Sequence, residues 1–136
     1  MKANPVVHFE LPAENTERMS AFYTKAFGWQ TKSMGPDMGN YVVATTTEVD
    51  EQTMRPKNPG AINGGFFQKA GDAQYPTVVV AVDDIHEAMK KVEEAGGKIT
   101  GGQTPGVPDD IPGVGLYIAI QDTEGNRIAM LQPKAM

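Results

Sequence analysis

The sequence predicts an α+β fold built from two βαβββ modules, on three observations. The order strand, helix, strand, strand, strand can be read twice along 136 residues. Each helix carries a single apolar stripe at helical spacing. Shifting the chain by 69 residues lays Ala26 on Ala95, Gly28 on Gly97, Tyr23 on Val92 and His8 on Thr77. Identity across that shift is low, so element order carries the repeat. Neither module could bury its sheet face alone. The two are therefore expected to pair into one curved sheet of about eight strands, with helices outside and a concave inner face. A single domain over residues 1–136 follows, with modules at about 5–68 and 76–133.

The first strand is VVHFELP, where Val7, Phe9 and Leu11 alternate with His8 and Glu10. Alternation sends Phe9 and Leu11 toward a helix and leaves His8 and Glu10 together on the other face. Pro12 ends the strand, and Asn15 or Thr16 can cap the helix that follows. Met19, Phe22, Tyr23, Ala26 and Phe27 form its apolar stripe. Gly28 suits the position past its end. WQTKSM and NYVVATTT read as strands joined by the turn GPDMG, and AINGGFFQ closes the module after a polar loop.

The second module opens with PTVVVAVDD. Asp84 and Glu87 have capping-box spacing, and Ile85, Ala88, Met89 and Val92 form the stripe of its helix. AGG ends that helix. Strands KIT, VGLYIAIQ and NRIAMLQ follow, the last two joined by the turn DTEGN, with Gly125 placed for a positive φ. GGQTPGVPDDIPGVG holds eight Gly or Pro in fifteen residues and reads as a lid over the inner face. Asp109 and Asp110 within it are expected in solvent, as is His86 at the second helix start.

Composition narrows the function. Net charge is −5 and no basic cluster occurs, which argues against nucleic-acid partners and anionic membrane surfaces. The absence of cysteine excludes disulfides, thiol catalysis and Cys-ligated zinc. The opening MKANPVVHFE lacks the apolar segment of a signal peptide. The longest apolar run, VVVAV from Val78, is too short to cross a bilayer. A cytoplasmic protein is expected.

Two segments resemble a known family. HFELPAENTERMSAFYTKAFGW is similar to the opening module of the vicinal oxygen chelate superfamily, which includes glyoxalase I, extradiol dioxygenases and bleomycin-resistance proteins. IPGVGLYIAIQDTEGNRIAMLQP is similar to its closing hairpin. The resemblance covers essentially the whole chain and implies a homodimer. It also implies a divalent metal held by four side chains, from the first and last strand of each module. Carried over by position, His8 stands at the first ligand place, Thr77 at its equivalent in the second module and Ala129 in the last strand. The remaining place falls within Asn63, Gly64 and Gly65, where no carboxylate is present. One histidine and a threonine hydroxyl cannot supply the three or four donors a transition metal needs, so neither a metal nor another cofactor is expected.

The inner face would be lined by His8, Glu10, Tyr41, Asn63, Thr77, Tyr117 and Ala129, a mixture of aromatic, small and polar groups that suits a small-molecule site. Trp29, Tyr41 and Tyr117 are candidate stacking platforms. The expected function is metal-independent binding of a small, partly aromatic molecule, in the manner of the bleomycin-resistance proteins. Two alternatives stand beside it. One is a metal-dependent lyase, isomerase or dioxygenase of the same superfamily, with His8 and Glu10 as an acid–base pair. The other is a dimeric interaction or regulatory module.

Overall fold

A computed structural model describes residues 2–71 and 74–134. Among these residues there are nine strands and two α-helices: β1 (Val6–Ala13), α1 (Thr16–Phe27), β2 (Gln30–Ser33), β3 (Val42–Thr45), β4 (Asn63–Gln68), β5 (Thr77–Ala81), α2 (Ile85–Glu94), β6 (Lys98–Ile99), β7 (Asp109–Ile111), β8 (Gly115–Gln121) and β9 (Arg127–Pro133). The chain divides into two compact units, His8–Pro76, and Thr77–Met136 together with Met1–Val7.

In the first unit β1 pairs parallel with β4, and the antiparallel pairs β4–β3 and β3–β2 extend the sheet. In the second, β5 pairs parallel with β9, and the antiparallel pairs β9–β8 and β8–β6 extend it. The two units thus repeat one βαβββ topology. Only the second carries an additional short strand, β7, antiparallel to β8.

Both helices start where a short polar side chain can satisfy free amides. Asn15 Oδ1 accepts the Arg18 N–H at 2.9 Å, and Asp84 Oδ1 accepts the N–H groups of His86 and Glu87 at 3.0 and 3.1 Å. α1 stops at Gly28, which takes φ +73° and donates its N–H to the Thr24 carbonyl.

The α2 stripe packs as its spacing predicts. Ile85 is buried with Val82, Ile118, Ile120 and Met130, and Ala88, Met89 and Val92 close over them. α1 behaves differently. Met19 and Tyr23 pack on Val42, Ala44 and Phe66, but Phe22 and Phe27 stay 58% and 65% exposed. Its stripe is therefore wider than the sheet face it covers. Only the two positions pointing at β3 and β4 reach the core.

The Gly/Pro-rich segment after β6 is tied down rather than hanging free. β7 lies inside it on β8, with Asp109 opposite Tyr117 and Ile111 opposite Gly115. Asp109 is half-buried and accepts the Gln103 N–H at 2.9 Å. The Gly101 backbone passes so close to Ala119 that a side chain at 101 would collide with it. The expected lid is thus a strapped edge. Asp110 is exposed as expected, and so is His86.

Candidate functional site

In the first unit the strand pairing decides which side chains meet. His8 lies opposite Asn63 and Glu10 opposite Gly65 on the parallel β1–β4 pair, while Val43 of β3 lies opposite Gly65. Residues at the same level of a sheet share a face, so His8, Glu10, Asn63, Gly65 and Val43 belong to one surface. Phe9, Leu11, Val42, Ala44 and Phe66 lie on the other, against α1. Tyr41 precedes Val43 by two residues and returns to the His8 face.

Gly65 makes the next step possible. A Cβ there would fall on the Tyr41 phenol, so the ring crosses β4 only because position 65 has no side chain. The crossing ends on His8, whose Nε2 is 3.0 Å from Tyr41 Oη. The backbone of Tyr41 is fixed on both sides: its N–H donates to the Met38 carbonyl at 3.1 Å, and its carbonyl accepts the Met34 N–H at 2.8 Å. Just before it, Gly39 and Asn40 adopt left-handed φ values of +62° and +57°. Glycine does so freely and asparagine more readily than most residues.

Burial lowers the His8 pKa below the ordinary histidine value, and the negative charge of Glu10 opposes that shift without cancelling it. The histidine is thereby held toward its neutral form. One ring nitrogen of a neutral imidazole donates and the other accepts, and a phenol hydroxyl matches either at Nε2.

Asn63 lies opposite His8 but spends its side chain elsewhere. Its Oδ1 accepts the N–H groups of Thr46 and Thr47 at 2.7 and 3.1 Å and lies 3.3 Å from the Thr46 hydroxyl. It closes the end of β3 where the chain leaves the sheet. Trp29 does not sit on the His8 face either. It stacks on Tyr23 with ring centres 4.5 Å apart and planes 8° apart, and it also neighbours Phe9 and Phe66 on the helix side. Its expected role as a ligand platform is replaced by one in the core.

In the second unit, Thr77 opens β5 and donates its hydroxyl to the Arg127 carbonyl at 3.1 Å. Ala129 is opposite both Val79 and Ala119 and has no exposed surface. Tyr117, opposite Leu131 on β9, is half-buried. Of the seven residues singled out from sequence, the fold therefore joins His8, Glu10 and Tyr41 on one patch. It gives Asn63 and Thr77 to backbone groups, encloses Ala129 and leaves Tyr117 half-buried on β8. Gly65 joins His8, Glu10 and Tyr41 as the position that the Tyr41 phenol crosses. Its signal was the Gly64–Gly65 pair inside a strand, which marks close approach.

The places that the family resemblance gives to metal ligands do not supply a resident cation with its donors. His8 Nε2 is engaged by a phenol, the Asn63 oxygen by two amides, and the Thr77 hydroxyl by a carbonyl. Gly65 and Ala129 offer no donor atom, and a zinc-type transition-metal site takes three or four protein ligands in fixed geometry.

A family model described as the Glyoxalase/Bleomycin resistance protein/Dioxygenase superfamily matches residues 6–130. No curated protein sequence matches the chain. Among solved structures, the methylmalonyl-CoA epimerase from Mycobacterium tuberculosis is 11% identical with a TM-score of 0.65, covering 96% of this chain and 88% of that one. A Streptomyces coelicolor methylmalonyl-CoA epimerase in complex with 2-nitronate-propionyl-CoA is 9% identical with a TM-score of 0.68, covering 99% and 98%. A glyoxalase/bleomycin resistance protein/dioxygenase superfamily member from Vibrio splendidus 12B01 is 15% identical with a TM-score of 0.61, covering 96% and 99%. At these identities the likeness is one of fold.

Proposed function

The chain belongs to the Glyoxalase/Bleomycin resistance protein/Dioxygenase superfamily, and from that premise we propose that it binds a small, partly aromatic molecule without a metal. The reading makes it a cytoplasmic homodimer with no nucleic-acid or membrane partner. The observation that carries it is the His8–Tyr41 hydrogen bond over Gly65. It supplies a neutral, half-buried polar anchor beside an aromatic ring, which is how small-molecule sites fix orientation. Among the described residues no helix is long and apolar enough to cross a membrane.

The test is a titration with small aromatic ketones, amides and nitro compounds, followed on the His8 ring by NMR. Saturable shifts that disappear in Tyr41→Phe support the reading. A His8 ring that no compound moves at millimolar concentration refutes it.

A second reading, a lyase, isomerase or dioxygenase, is favoured by one observation. Burial lowers the His8 pKa, against the opposing charge of Glu10 two residues away, and so favours the uncharged imidazole that a general base requires. Deuterium uptake from D2O into an acyl-thioester probe, abolished by His8→Gln, is its signature. No uptake above the buffer rate removes it.

A further inference from the structure

We infer that Tyr41 and Gly65 act as a pair that excludes cations from His8. A histidine and a carboxylate two residues apart on one strand face are the usual beginning of a divalent-metal site, and His8 and Glu10 have that relation. To complete such a site, the neighbouring strand would have to add donors opposite them. Those positions are Asn63 and Gly65. The Asn63 oxygen is already bonded to the Thr46 and Thr47 amides. Gly65 has no side chain, and the space its side chain would enter is filled by the Tyr41 phenol.

The phenol also takes the nitrogen itself. Tyr41 Oη stands 3.0 Å from His8 Nε2. A transition metal on that nitrogen would sit at about 2.0–2.1 Å, inside the space the hydroxyl holds. Cation and phenol hydroxyl therefore compete for the same nitrogen. Backbone movement cannot relieve the conflict cheaply, because Tyr41 is hydrogen-bonded to Met34 and Met38 and follows the left-handed Asn40. A metal at that nitrogen would have to replace the tyrosine's hydrogen bond to His8. The pair thus sets the specificity of the patch toward neutral polar groups. This inference concerns cation selectivity alone and stands whether or not the small-molecule reading holds.

Cobalt(II) titration tests it, in a His86→Gln background that removes the other histidine. The variants are Tyr41→Ala, Tyr41→Phe, Gly65→Glu, and Gly65→Glu combined with Tyr41→Ala. Readouts are the visible Co²⁺ bands, paramagnetic broadening of the His8 ring signals, and circular dichroism for the fold. The parent is expected to show no His8 broadening at millimolar cobalt, whereas Gly65→Glu, whose Cβ would push the Tyr41 phenol off His8, should gain it. Tyr41→Ala should gain His8 broadening, and the double variant should bind at least about tenfold more tightly than Tyr41→Ala, as a further ligand implies. Tyr41→Phe keeps the ring but frees Nε2. It must respond in the same direction as Tyr41→Ala, so the comparison survives if the alanine variants fail to fold. Parent protein that binds cobalt through His8 as tightly as the tyrosine variants overturns the inference. So does a folded Tyr41→Phe or Tyr41→Ala whose His8 signals stay unmoved.

Discussion

Gly65→Ala is the smallest perturbation that reaches the candidate site. The glycine is buried in β4, and its φ is not in the left-handed region, so alanine meets no backbone obstacle. The obstacle is the Tyr41 phenol, on which the new methyl would fall. Non-bonded heavy atoms pack at about 3.5–4.0 Å, so the ring must move by about 1 Å or more. That shift ends the 3.0 Å contact with His8. Losing one hydrogen bond costs about 0.5–1.5 kcal/mol, and forcing a methyl into packed surroundings costs about 1–3 kcal/mol. The expected destabilisation is therefore about 2–4 kcal/mol. In a Tyr41→Ala background the methyl enters vacated space, and the same substitution should cost about nothing, or stabilise by a few tenths of a kcal/mol through the unfolded chain. The assay is urea denaturation of the four proteins of this double-mutant cycle, at a pH where His8 is neutral. A coupling of about 2–4 kcal/mol is expected. Equal costs of Gly65→Ala in the two backgrounds would refute the claim that Tyr41 lies over position 65.

Three further outcomes follow from the same coordinates. Asn63→Ala removes the acceptor of the Thr46 and Thr47 amides and should destabilise by about 1–3 kcal/mol, with faster hydrogen exchange at those two amides than at the rest of β3. Phe66→Ala, at a fully buried ring 5.5 Å from Tyr23, should cost about 3–5 kcal/mol in chemical denaturation; a cost under 1 kcal/mol would contradict the packing of α1 on β4. His8 carries a pKa lowered by burial, so below the ordinary value of about 6.5 the unfolded chain takes up its proton first. Stability should be fully present above that pH, fall as pH drops through the window beneath it, and fall less in His8→Gln; an identical pH slope in the two proteins would count against the assignment.

Much of the fold was legible along the chain because local physics writes it there. Both caps were read from Asn15 and Asp84, the α2 stripe packs as its spacing requires, and alternation assigned Tyr41 and Val43 to the face opposite Val42 and Ala44. The misreadings have local causes too. β7 hides among glycines and prolines because three residues on a sheet edge need little β propensity once β8 offers its backbone. The α1 stripe overstated burial because periodicity measures which residues share a side, not how wide the opposing surface is. Trp29 was placed with the ligand face, but stacking on Tyr23 draws it into the core.

By itself, then, the sequence determined most of the element types, their caps and turns, and the twofold βαβββ order. Each of these depends on residue chemistry or on spacings of a few positions. Only the tertiary structure decided that Tyr41 spans Gly65 to reach His8, 33 residues away in the chain, and that Asn63 serves the backbone of β3 and not a ligand. Those relations depend on strand register. Register is set by how distant segments pack, and a slip of one residue would turn every one of these side chains to the opposite face.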